Sequence, residues 1–252
     1  MYDRRSKFPA GRDCLSINIA LMLWAILILG CNVNDDDRST SIISIDNLSS
    51  QRGTNDAAET LTRHQHIDTL RIKGELYKSS LAFIPATLEV DTLSLQTPRF
   101  KLENLRNSVF ARSIRSLYLS KVIVDTEQSV ELLYLPSITL MIFSDCSFDT
   151  GAMHSLSRLD GIRHVRFFFC GPSESQLAIL AEHGRLESLH LEGAQYTDAS
   201  VESLASMQTL THLSLLDTSI TEKALTDLRL ARPGLSLDVS VPIANESTNA
   251  DR

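Results

Sequence analysis

A period of about 24 residues constrains this chain more than any other feature. Counted from the first apolar residue of each unit, units begin at Ile67, Val90, Ile114, Ile138, Ile162, Leu186, Leu210 and Leu235, spaced by 23, then 24 five times, then 25. In the five central units, offsets 0, +3 and +5 are Ile114, Leu117, Leu119; Ile138, Met141, Phe143; Ile162, Val165, Phe167; Leu186, Leu189, Leu191; and Leu210, Leu213, Leu215. All are apolar. In a chain that is 43 % apolar, chance gives this about three times in a million before choice of frame.

The rhythm changes within each unit. Apolar residues at +3 and +5 recur at every second position, which predicts a strand. Offset +8 is small in the later units (Cys146, Cys170, Ala194, Thr218), and offset +10 is often apolar (Val124, Phe148, Tyr196, Ile220). Offset +11 carries helix N-cap residues in five consecutive units: Asp125, Asp149, Ser173, Thr197 and Thr221. Gln128 and Gln176 stand three residues after two of them, the spacing of a capping box. Apolar residues at helical spacing follow, as in Met153, Leu156, Leu159 and Val201, Leu204, Met207. Each unit therefore reads as strand, turn, helix and return. One unit cannot bury its own apolar side, so the units must stack around a shared core.

The stretch Leu210 to Leu225, with its Leu-x-x-Leu-x-Leu start and Thr218, resembles a leucine-rich repeat of the bacterial 24-residue kind. Leu186 to Asp198 is similar, and Arg232-Pro233-Gly234-Leu235-Ser-Leu237-Asp-Val239 resembles the family's truncated last repeat. The resemblance covers about residues 67–240. It implies an α/β solenoid, with a curved parallel β-sheet on the concave face, helices on the convex face and about eight units. It weakens before Ile114, where Glu75 and Pro98 occupy the position that the family gives to a small residue or Asn. Residues 54–66 read as an N-terminal cap, with a short helix starting at Thr54, Asn55 or Asp56.

The first 30 residues have a different character. Arg4, Arg5, Lys7 and Arg12 precede Leu15 to Leu29, which is apolar except for Ser16 and Asn18. This is the layout of a secretory signal or a membrane anchor. Ile28-Leu29-Gly30-Cys31 resembles the lipobox of bacterial lipoproteins, which implies lipidation at Cys31. An uncleaved signal anchor is the alternative, and Arg4-Arg5 faintly resembles a twin-arginine signal. Each reading puts the repeats outside the cytoplasm, since the positive charges precede the apolar run. Residues 31–53, rich in Ser, Asp and Asn, read as a polar tether, and 241–252 as a polar tail.

The resemblance implies a binding surface at the outward strand positions, offsets +2, +4 and +6. There Tyr118, Leu140, Ile142 and Phe168 are expected to form an apolar patch, edged by His164, Arg166 and His190, with His212 beyond. Cover by the chain's own tail or a neighbouring copy, or a one-residue frame error near Leu135 and Leu140, are the competing readings. His164, His190 and His212 fall on successive strands at alternating offsets, so a shared metal is not expected. Cys146 and Cys170 stand one period apart, either as buried thiols or as a disulfide pair. No phosphate loop, Gly-x-Ser-x-Gly, His-Glu-x-x-His or paired CxxC occurs, so neither catalysis nor a cofactor is expected. The net charge of −7, without a long basic run, gives no support to a nucleic-acid partner. The expectation is a non-catalytic protein-binding module in the cell envelope; the alternative is a self-associating structural envelope protein.

Overall fold

The computed structural model describes residues 41–240 except 47, 77–80, 98–99, 103–104 and 106–107. The segment read as a signal or anchor, Cys31 with it, and the tail 241–252 lie outside the described residues.

Among the described residues, nine strands form one all-parallel sheet. They are β1 (Ile42–Ile45), β2 (His66–Lys73), β3 (Glu89–Gln96), β4 (Ser116–Ser120), β6 (Leu140–Ser144), β8 (His164–Phe168), β9 (Ser188–Glu192), β10 (His212–Leu216) and β11 (Ser236–Ser240), adjacent in chain order. Two short strands, β5 (Ile123–Val124) and β7 (Ser147–Phe148), pair separately in parallel. The helices are α1 (Gln51–Leu61), α2 (Thr126–Leu132), α3 (Thr150–Ser157), α4 (Glu174–Leu180), α5 (Ser200–Ser206) and α6 (Glu222–Ala231). From β4 to β11 one strand of the nine-stranded sheet alternates with one helix, and that alternation fixes the shape. Strands pack about 4.8 Å apart and helices about 8–10 Å apart, so the stack fans outward on the helical side and leaves the sheet concave.

The ladder follows the period. Leu93 pairs with Leu117, Leu117 with Met141, Met141 with Val165, Val165 with Leu189, and Leu189 with Leu213. These offset +3 residues are buried, as are their +5 partners. The frame is thereby set at Leu140, which pairs with Ser116 and faces outward. Within the core, Phe143 stacks on Phe167 at 5.3 Å, and Phe148 meets both rings edge-on at 4.9 and 5.5 Å.

Four expectations change. In the last unit Leu237, not Asp238, pairs with Leu213, so the repeat begins at Gly234 rather than Leu235 and the last spacing is 24. The stretch read as tether through residue 53 contains strand β1, whose Ile45 is buried; just before it, the Ser41 amide donates to Asp68 Oδ2 at 2.7 Å. The helix expected from Thr54 begins earlier, capped by Ser50 Oγ, which accepts from Gly53 N at 3.1 Å. Thr197 is not an N-cap: its hydroxyl donates to Glu174 across the repeat boundary, and α5 starts only at Ser200.

The other offset +11 residues do cap. Asp125, Asp149, Ser173 and Thr221 accept from the amides of Gln128, Ala152, Gln176 and Ala224. Ser173 and Gln176 complete a capping box, whereas the Gln128 side-chain oxygen is buried without a partner. In the two units before Ile114 the strands keep the register, but the return segments differ. Leu81, Ile84, Phe100, Leu102, Leu105 and Phe110 fill the core from turns and one 3-10 segment, Val109–Arg112. Glu75 lies exposed just past β2, which is compatible with an irregular return there. Cys146 and Cys170 are free and buried in successive turns; the Cys146 thiol donates to the Leu119 and Ser144 carbonyls at 3.4 Å.

Candidate functional site

The face of the sheet turned away from the helices is built by register. Along offset +4 run Arg71, Ser94, Tyr118, Ile142, Arg166, His190, Ser214 and Asp238, each paired with the next. Along offset +2, Leu140 pairs with His164, His164 with Ser188, and Ser188 with His212. Phe168 stands at offset +6 on β8, the strand that carries His164 and Arg166.

The structure brings Ile142, Arg166, His190 and Phe168 together. The Phe168 and His190 ring centroids are 4.7 Å apart, and His190 Nδ1 lies 3.0 Å from Ser214 Oγ. Tyr118 is one strand beyond Ile142, and Leu140 is diagonal to it. His212 stands apart, exposed, with Ser188 between it and His164. The expected apolar patch is half-buried rather than open, because neighbouring side chains on parallel strands cover one another.

The electrostatics follow from that cover. Burial, aided by the Arg166 charge, pushes the His190 imidazole down to about 4. Burial also lowers His164, with Glu187 opposing, and lowers Arg166. Beyond them, Glu192 on β9 is buried; burial and the nearby carboxylates of Asp217 and Asp145 raise its pKa. His190 is therefore neutral at physiological pH, whereas Arg166 carries a full positive charge.

Phe169 escaped the sequence reading. It is 57 % exposed and has φ 52°, a left-handed conformation that costs a side chain like phenylalanine about 1 kcal/mol or more. Lys121, Asp145, Gly193 and Asp217 hold the same offset, all with positive φ. Aligning that column would have singled out the one aromatic. Ile123 is also exposed on this flank. A separate exposed apolar group, Val130, Leu133 and Tyr134, lies at the end of α2 on the helical side.

His66 joins Asp68 and Asp91 in a set whose ligand atoms lie within 4.8 Å of one another. That set is able to reach a divalent cation. However, Asp68 accepts from the Ser41 amide and hydroxyl at 2.7 and 3.0 Å, and Asp91 lies between His66 at 3.2 Å and Arg115 at 3.9 Å. Each group is already partnered within the protein.

No known protein family matches the sequence, and no curated protein sequence does. Among solved structures, a protein from Bacteroides fragilis is similar with a TM-score of 0.53 and 11 % identity, over 80 % of this chain and 65 % of that one. An internalin from Listeria monocytogenes gives a TM-score of 0.40 and 15 % identity, over 78 % of this chain and 66 % of the internalin. The chain thus spans just under two thirds of the length of either protein. Identity this low speaks to the fold alone, and the fold that the strands, helices and register build is an α/β solenoid of leucine-rich repeats.

Proposed function

We propose that this protein is a non-catalytic interaction module that binds a protein partner through the concave face of its sheet. The observation that carries the reading is the contiguous group Tyr118, Leu140, Ile142 and Phe168 on outward strand positions, with Arg166 and His190 set among them. A solvent-facing sheet surface ordinarily carries polar residues, as Thr69, Thr92 and Ser116 do in the earlier strands. Apolar and aromatic side chains around an arginine are the composition of binding hot spots. Phe169, projecting from the adjoining turn, extends the surface.

We further read the first 31 residues as the device that displays the repeats on the outer side of a membrane, with Cys31 as the lipid attachment point. The basic start, the apolar run and the Gly30-Cys31 junction support this. The mass of the mature N-terminus tests it: a start at acylated Cys31 is expected, and an intact Met1 overturns lipidation.

The binding reading is tested by photo-crosslinking in the native envelope with Tyr118→Ala, Ile142→Asp and Phe168→Ala variants. Loss of a discrete crosslinked species with unchanged thermal unfolding is expected; capture that survives all three sinks the concave-face reading. The exposed Val130, Leu133 and Tyr134 favour a second reading, self-association through the helical side. A mass by light scattering that stays monomeric at rising concentration excludes it.

A further inference from the structure

Arg166 is half-buried in the middle of the sheet, yet its guanidinium makes no hydrogen bond or ion pair with any described residue. Its neighbours in the row are Ile142 and His190. A cation taken partly out of water without a counter-charge costs free energy, so the fold tolerates here something that a partner would relieve. Beside it, His190 Nε2 is buried and also lacks a partner. If the Ser214 hydroxyl donates to Nδ1, at 3.0 Å, the neutral ring carries its proton on Nε2, so that atom is a donor without an acceptor. Arg166 and His190 are register partners on adjacent strands, whose backbones run about 4.8 Å apart.

The ring is also held in place. Phe168 packs on it at 4.7 Å and Ser214 fixes its rotation, so little ordering remains to be done when an acceptor arrives. One charged fork and one neutral donor suit a group with a single negative charge and two oxygens. A dianion suits them less, because Glu192 with Asp145 and Asp217 nearby makes the next row of the surface acidic.

We infer that Arg166 and His190 form the receptor for one carboxylate, an aspartate or glutamate side chain of the protein partner, whose adjoining apolar residue rests on Ile142 and Tyr118. This rests on the concave-face reading above and adds the chemistry of the partner. A basic or wholly apolar segment does not meet these donors.

The test uses the full-length chain in detergent micelles, with the Arg166 guanidinium and His190 ring resonances followed by NMR. It is titrated with acetyl-Leu-Glu-Leu-amide, with acetyl-Leu-Gln-Leu-amide and with inorganic sulfate. The glutamate peptide is expected to move both resonances and to bind at least about tenfold more tightly than the glutamine peptide. Arg166→Met is expected to remove that discrimination, and His190→Gln, which keeps an N–H donor, to retain part of it. Equal binding of the two peptides, or no shift from either into the millimolar range, overturns the inference. Sulfate binding more tightly than the glutamate peptide also overturns it, in favour of a phosphate- or sulfate-bearing ligand. The two readings fail separately. Peptides that do not discriminate, with capture still lost in the Tyr118 and Phe168 variants, remove only the carboxylate. Capture that survives those variants removes the face itself.

Discussion

Asp149 holds Thr126 of the preceding repeat with the carboxylate that caps its own helix. Its Oδ1 accepts from Ala152 N at 2.7 Å, and its Oδ2 accepts from both the amide and the hydroxyl of Thr126 at 2.8 Å. Asp198 makes the same clasp on Thr221, and Asp68 on Ser41, so a recurring Asp-to-Ser/Thr tie links neighbouring units. Asp149→Ala removes a cap and the tie at once and should cost about 2 kcal/mol in urea unfolding. Asp149→Asn, which keeps acceptor capacity on one oxygen, should lose about half of that. An unchanged midpoint for the alanine variant would show the clasp to be ornamental.

Gly171 and Tyr196 make a second tie, by shape. Gly171 has φ 139°, and a Cβ there would stand 2.2 Å from the Tyr196 hydroxyl oxygen and 3.2 Å from Phe167 Cβ. Tyr196 is fully buried, and its hydroxyl has no hydrogen-bond partner among the described residues. Gly171→Ala therefore combines a clash with a strained backbone and should destabilise by about 3 kcal/mol or more. Tyr196→Phe discards an unpaired buried hydroxyl and should change stability by less than about 1 kcal/mol. In the Tyr196→Phe background the cost of Gly171→Ala should shrink, and a double-mutant cycle measures by how much.

Most of the sheet was legible because its core positions repeat. Three apolar offsets, sustained from Ile114 to Leu215, leave one register that buries them all, and a one-residue slip would expose every one. The ends were less legible. In the last unit Leu235 and Leu237 are both apolar, and only pairing with Leu213 decides between them. Strand β1 hides in a Ser- and Asp-rich stretch, and its partner Asp68 is 27 residues away from Ser41. The concave residues follow from their offsets. That Arg166 lacks a counter-ion, that His190 is buried and that Phe169 stands in a left-handed turn are properties of contacts and backbone, which a periodic pattern does not encode.

The unpaired Arg166 should be measurable without any partner. Arg166→Met keeps the length and apolar cover of the stem and removes a charge that nothing in the described structure balances. Its stability should rise by about 1 kcal/mol as partner binding is lost. A fall in stability on this substitution would mean that the guanidinium is already satisfied in the free protein, which chemical denaturation decides.

Arg232 closes the far end of the solenoid. Its guanidinium donates to the carbonyl of Ala205 in the last turn of α5 and to those of Met207, Gln208 and Leu210 in the return segment that follows. A cation there meets the negative end of the helix and carbonyls left over from its last turn. Arg232→Ala should cost about 2 kcal/mol or more. Because each repeat touches only its neighbours, the loss should be local: amide exchange in α6 and β11 should accelerate while β4 and β6 stay protected. Uniform acceleration would show that the last repeat unfolds with the rest.

Acid should loosen the fold through its covered histidines. His183 is buried; its Nδ1 accepts from the Arg185 amide, and its Nε2 contacts the Leu159 carbonyl at 3.0 Å. Burial lowers its pKa, as it does for His164, and takes His190 down to about 4. In the unfolded chain these rings titrate near 6.5, so below that pH the unfolded state binds more protons, over a window that for His190 reaches down to about 4. Their contribution is complete above that window and is lost as pH falls through it. Glu192 acts the other way, since its raised pKa makes protonation favour the fold as pH drops toward the ordinary carboxylate value. Comparing His190→Gln with wild type isolates the imidazole. The wild type should lose about 1–3 kcal/mol relative to the variant between pH 6.5 and pH 4.5. Parallel curves across that window would mean that His190 takes up a proton in the folded protein as easily as in the unfolded one, and that the row beside Arg166 is wetter than its burial implies.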